Sequence, residues 1–140
     1  HTGPGQSDMF VVSKIIKHIV EIKKGLRSQL EIGNVEIKRD ISDVRDVVRA
    51  YWLALEKGKE GEVYNICSGK DYSIQQVLQF LLRFAKVKPK IKRDPKRMRP
   101  SDVMRLVGDN TKFRKLTGWK PEIPFQKTLE DLLNYWRERV

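Results

Sequence analysis

Histidine, cysteine and long apolar runs are what this 140-residue sequence has least of. The two histidines, His1 and His18, stand far apart, and neither zinc-ligand spacing nor an H-E-x-x-H pattern occurs. His18 reads as a packing or surface residue. The single cysteine, Cys67, has no partner for an internal disulfide, which fits a reducing compartment such as the cytoplasm. Within 63-VYNIC-67 it reads as a small buried hydrophobe rather than a nucleophile. No apolar stretch approaches the roughly 20 residues that span a bilayer, and no signal-peptide core stands near the start. Gly3 and Gly5 form a G-x-G without a preceding strand or a third glycine, so no dinucleotide or P-loop signature is present. No Ser-His-Asp or Cys-His arrangement can be assembled either. If the chain belongs to an enzyme, these residues supply binding rather than chemistry.

Positive charge is what the chain does have. Lysine and arginine number 29 against 18 acidic residues, a net +11 that attracts anions of any kind. Nucleic acid, an anionic membrane and phosphorylated metabolites all fit that sign. Apolar content of 39% with 34% charged residues describes a globular domain with a modest core. The chain opens on His1 rather than Met, and is expected to be a processed product or a piece of something longer.

The patterning predicts alternating helices and strands. After the loop 1-HTGPGQS-7, Asp8 is placed to cap a helix carrying Val12, Ile15, Ile16, Ile19 and Val20 or Ile22, ended by Gly25. The segments 30-LEI-32 and 35-VEI-37 flank Gly33-Asn34 and predict a hairpin. Asp43 suits the N-cap of a second helix presenting Val44, Val47, Val48, Tyr51 and Leu55, closed by Lys57-Gly58. A strand is expected over 63-VYNI-66. Ser73 and Gln76 form an S-x-x-Q capping box for a third helix with Ile74, Val77, Leu78, Leu81, Leu82 and Ala85 on one face. Pro89, Pro95 and Pro100 then forbid a long helix. A short helix near 111–117 ends at Gly118, and a last helix after Pro124 shows Leu129, Leu132, Leu133 and Trp136. The fold class is α/β, helices packed on a small sheet.

Three places could hold a phosphorylated ligand. Arg39 in 39-RDISDVRD-46 offers a planar fork of donors beside a helix cap, with local salt bridges as the plainer alternative. Arg99 and Asp102 stand at R-x-x-D spacing, one suited to phosphate and the other to hydroxyl groups, or simply to each other as a surface ion pair. The loop and helix start from Gly5 to Lys14 present backbone N–H groups and a lysine. Between Lys86 and Arg105, nine basic residues face only Asp94 and Asp102, so a nucleic-acid-binding module is the competing class. That segment has no aromatic residue for base stacking, and its prolines interrupt any recognition helix.

Taken in order, 1-HTGPGQ-6, 39-RDISDVRDVVRAY-51, 63-VYNICSG-69, 99-RPSDV-103 and 108-GDNTKFRKLTGWKPEIPFQKTLEDLL-133 resemble the C-terminal portion of extended short-chain dehydrogenase/reductases acting on nucleotide sugars. The branch that they resemble handles GDP-sugars, as GDP-mannose 4,6-dehydratases and GDP-4-dehydro-6-deoxy-mannose reductases do. The resemblance implies a C-terminal substrate-binding portion whose N-terminal Rossmann half, with the glycine-rich turn and the catalytic Tyr-x-x-x-Lys, is missing from this chain. It implies NAD or NADP as cofactor of the intact enzyme, a GDP-sugar as substrate, and a homodimer. Residue by residue, Arg39 and Arg99 are expected to contact the substrate diphosphate and Asp102 the ribose hydroxyls. Val11 and Lys14 are expected to line the nucleotide pocket, and His1 to lie near the nicotinamide ribose. Dehydratases of the branch show N-H-E-S-P-R-R-G and R-D-W-G-H-A where this chain has HTGPGQS and RDISDV, and Gln6 replaces an arginine. The version present looks more like the reductase; a dehydratase or another nucleotide-sugar epimerase is the alternative.

Overall fold

A computed structural model describes residues 1–95 and 103–140. Three helices build the main core because each carries one continuous apolar stripe. α1 (Val11–Lys23), α3 (Ile74–Ala85) and α5 (Phe125–Arg137) pack on one another. Their contact buries Ile16, Ile19, Val77, Leu81, Leu129, Leu132 and Leu133 almost completely. The capping box of α3 forms in both directions, Gln76 N–H donating to Ser73 Oγ at 3.0 Å and Ser73 N–H to Gln76 Oε1 at 2.8 Å. α1 starts differently from expectation. Phe10 holds its N-cap without a side-chain bond, and Asp8 instead pairs with Lys17 at 2.6 Å. A lysine two turns along competes better for that carboxylate than the backbone does. At the opposite end, Lys23 donates to the Ala85 carbonyl at 3.1 Å and Lys24 to Arg137 O at 3.3 Å, so the cations of one helix cap the C-termini of its neighbours.

The expected hairpin around Gly33-Asn34 does not form. β1 (Gln29–Ile32) pairs in parallel with β4 (Lys90–Arg93), Gln29 opposite Lys90. β2 (Lys38–Asp40) lies in a second sheet, ordered β3-β2-β5, with β3 (Asp71–Ser73) antiparallel and β5 (Arg105–Leu106) parallel to it. Asn34 Oδ1 accepts from Glu36 N–H at 2.9 Å, a local turn that carries the chain from one sheet to the other instead of back on itself. Leu30, Ile32 and Val35 still reach the core, so the apolar alternation was real and only the partner differed. All four side chains of β4 are exposed.

A second, smaller cluster lies under α2 (Val44–Lys57) and α4 (Thr111–Thr117). It consists of Ala50, Phe113 and Trp119, with Tyr64 and Ile66 packed against it. Gly118 ends α4 at φ +76°, as expected of a left-handed C-terminal glycine. α2 departs from its predicted face. Val47 and Ala50 are buried, but Val48, Tyr51, Trp52 and Leu55 form an apolar stripe 52–83% exposed. The segment 63–66, expected as a strand, joins no ladder among the described residues. Its side chains nevertheless alternate, Tyr64 and Ile66 inward and Val63 and Asn65 outward.

Candidate functional site

The motif 39-RDISDVRD-46 is built around three carboxylates at every third position, and each seizes a different loop. Asp40 accepts from Ser68 N–H at 2.9 Å, Ser68 Oγ at 2.6 Å, Gly69 N–H at 2.8 Å and Gly108 N–H at 3.4 Å. Asp43 caps α2 through Arg45 N–H at 2.8 Å, ion-pairs with the Arg45 guanidinium and accepts from Thr128 Oγ1 at 2.7 Å. Asp46 accepts from the N–H groups of Glu122 and Ile123, both at 3.0 Å, and pairs with Arg49 at 2.8 Å. Burial opposes ionisation of Asp43, yet the hydrogen bonds from Arg45 and Thr128 overcome it and hold the carboxyl below the usual range. The expectation of local caps and salt bridges holds for Asp43 and Asp46, and understates Asp46, whose backbone ligands come from the far side of the chain.

Arg39 sits between these clamps in β2, half-buried. Its Nη1 donates to Val103 O at 2.6 Å and to Lys38 O at 2.8 Å. Among the described residues no carboxylate is paired with it. Val103 immediately follows Asp102, and the expected sites Arg99 and Asp102 themselves lie outside the described residues.

His1 is exposed, and its carbonyl accepts from Gln6 Nε2 at 2.9 Å. Thr2 N–H donates to Ser42 O and Val44 N–H to Thr2 O, both at 2.9 Å, which places the start of the chain beside the end of β2. Val11 is exposed and Lys14 half-buried on the first turn of α1. Among the described residues no hydrogen bond or ion pair joins either to Arg39. Gln6 ties the start of the chain to α1: its backbone carbonyl takes the Ser13 hydroxyl at 2.9 Å while its side-chain amide donates to the His1 carbonyl. The Gly3 turn serves packing, since a Cβ there would meet Val44 Cγ1 at 2.7 Å.

Cys67 is a free, half-buried thiol whose pKa is pushed up by burial and by the charge of Asp40. Gly108 lies against it so closely that a Cβ would come within 2.5 Å of Sγ. Cys67 is thus packed against Gly108 but is half-buried, where the sequence pattern predicts a buried residue. A polar cleft of about 900 Å³ runs past Asp43, Asp46, Ser68, Gly69, Asp109 and Phe125, but is not lined by Arg39, Val11, Lys14 or His1. Among the described residues no group of three His, Cys, Asp or Glu could hold a metal, and no helix is long and apolar enough to cross a membrane. Sequence reasoning missed Ser68, Gly69, Gly108 and the depth of Asp40. The D-x-x-D-x-x-D spacing was the available signal.

Comparison with known proteins places this geometry in a family. The chain is 40% identical to the GDP-6-deoxy-D-mannose reductase of Pseudomonas aeruginosa over 141 residues, covering all of this chain and 46% of that protein. It is 31% identical to GDP-mannose 4,6 dehydratase 1 of Arabidopsis thaliana over 147 residues, again covering all of this chain and 40% of the relative. The structure of RMD from P. aeruginosa complexed with NADPH superimposes with a TM-score of 0.93 at 38% identity, over 100% of this chain and 46% of that one. A putative epimerase from Burkholderia cenocepacia J2315 gives a TM-score of 0.88 at 34% identity, covering 98% of this chain and 44% of that one. The chain thus spans less than half the length of these relatives. The fold is the C-terminal part of an extended short-chain dehydrogenase/reductase, as the motifs implied. The profile described as GDP-mannose 4,6 dehydratase matches residues 1–132, and the chain belongs to that family.

Proposed function

We propose that this chain is the nucleotide-sugar-binding part of an NAD(P)-dependent GDP-4-keto-6-deoxy-mannose reductase. The observation that carries the binding role is Arg39, a half-buried guanidinium held by two backbone carbonyls and left without a carboxylate among the described residues. The choice of reductase rests on the relative that is 40% identical over the whole chain, against 31% for the dehydratase. In this reading Arg39 and Arg99 neutralise the diphosphate and Asp102 takes the ribose hydroxyls. Val11 and Lys14 line the nucleotide pocket, and His1 approaches the nicotinamide ribose. When bound, the cofactor supplies a hydride to the 4-keto carbon. This chain's residues orient the sugar so that transfer occurs within one complex rather than by encounter. The stripe Val48–Leu55 and the unladdered 63–66 segment are the surfaces that meet the cofactor-binding half. The parent is a homodimer in the cytoplasm, and the lysines of β4 are solvated charge rather than a nucleic-acid site.

Calorimetric titration of GDP and UDP into the intact parent tests the reading. GDP is expected to bind and UDP to bind more weakly; equal, negligible heats from both would sink it. Turnover of the 4-keto sugar with a reduced nicotinamide, against dehydration of GDP-mannose, separates reductase from dehydratase.

A further inference from the structure

The three-stranded sheet that carries Arg39 is too short to fix its own register. β2 meets β5 at only two pairs, Lys38–Arg105 and Arg39–Leu106, and meets β3 at three. Each backbone hydrogen bond contributes on the order of 1 kcal/mol net, so two pairs hold a strand weakly. A slip of one residue would send every side chain of the strand to the opposite face. Something else must hold the ends. Ser68 and Gly69 stand in the turn that leads into β3, and Gly108 follows the end of β5. All three donate backbone N–H groups to one carboxylate, that of Asp40. A hydrogen bond to a charged group is worth about 1.5–3 kcal/mol, more than a ladder bond. The clamp therefore outweighs the ladder it terminates.

Asp40 is the residue next to Arg39, and the consequence for Arg39 is direct. The guanidinium takes its orientation from Val103 O, in the stretch that enters β5. If β5 drifts relative to β2, Val103 O drifts from Nη1 and the fork turns away. We infer that Asp40 is a positioning residue for anion binding: by locking the ends of β3 and β5 to β2, it sets the direction in which Arg39 presents its guanidinium. This rests on the reading of Arg39 as a diphosphate ligand. Asp40 itself faces backbone N–H groups rather than ligand, so it acts only through its neighbour.

The test is a double-mutant cycle in the intact parent, read by GDP titration calorimetry with guanosine as the phosphate-free control. Arg39→Ala should weaken GDP about 10- to 100-fold, the range of a lost charge-assisted hydrogen-bond set. Asp40→Asn keeps the shape but turns an amide NH₂ toward the Gly69 or Ser68 N–H. It should weaken GDP about tenfold and leave guanosine unchanged, a loss of the size of one hydrogen bond to a charged group. The double variant should bind no worse than Arg39→Ala alone, because the two act on one contact. If Asp40→Asn does not fold, Ser68→Ala removes one donor from the other end of the clamp and should give a smaller loss with the same dependence on Arg39. Unchanged GDP binding in Asp40→Asn and Ser68→Ala overturns the inference. So do losses that multiply in the double variants, or equal losses for guanosine. Indifference of GDP to Arg39→Ala instead removes the diphosphate reading itself, and the positioning role with it.

Discussion

The two apolar clusters of this chain are finished to different degrees. The cluster of α1, α3 and α5 gathers sixteen buried hydrophobic residues, whereas the one beneath α2 and α4 has three. Every apolar stripe in the first meets another stripe. In the second, α2 buries one side on Phe113 and Trp119 and leaves Val48, Tyr51, Trp52 and Leu55 to solvent. Exposed patches of this kind mark surfaces that another structure covers. The difference teaches that apolar patterning predicts burial only where a second apolar face is present to receive it, as it is for α1, α3 and α5 and is not for the outer side of α2 among the described residues.

The comparison can be broken hardest at Leu132, fully buried where the three helices meet. Leu132→Ala should cost about 2–5 kcal/mol, read as a lower urea midpoint. If instead it is tolerated, the larger cluster is not the stabilising one. Asp43 comes next, because it joins the two regions by capping α2 and holding Thr128 of α5. Asp43→Ala should cost about 1–3 kcal/mol through the lost cap and the orphaned buried hydroxyl. The same group predicts a pH effect. Its folded pKa lies below the unfolded value of about 3.9, so its contribution is complete above that pH. It is lost as pH falls through the folded value, and acid titration of the Asp43→Ala variant should show a shallower loss of stability below pH about 4. The smallest effect belongs to the open side. Leu55→Ser should change the stability of the chain alone by no more than about 0.5 kcal/mol, since the side chain is 83% exposed. In the intact parent the same substitution should lower the melting temperature. Equal effects in both settings would show that nothing covers the stripe.

What could be read from the sequence follows the range of the interactions. The third helix was legible because Ser73 and Gln76 satisfy each other three residues apart, and the fourth because Gly118 must adopt a left-handed turn. Leu129, Leu132 and Leu133 announced their burial by spacing alone. The hairpin at Gly33-Asn34 was misread because the true partner of Gln29 is Lys90, and nothing local to either residue names the other. The second helix misled for a different reason: its apolar spacing is helical, but among the described residues no apolar face packs on Val48, Tyr51 and Leu55. Arg39 was visible as a residue type and through family resemblance. Asp40 as a clamp was not, since its ligands are backbone N–H groups of Ser68, Gly69 and Gly108, a donor that nearly every residue carries and that no side-chain pattern marks. Position, rather than identity, makes those donors.

The exposed β4 strand has a use that does not depend on any ligand. Among the described residues it forms with β1 a sheet of two strands, and no third strand pairs with its outer backbone edge. Lys90, Lys92 and Arg93 all stand along that edge. A second strand arriving there would bring the same charges into register, and like charges facing one another oppose zippering. Such like-charge repulsion disfavours edge-to-edge pairing of two copies of this strand. It should weaken as added salt shortens the reach of the repulsion.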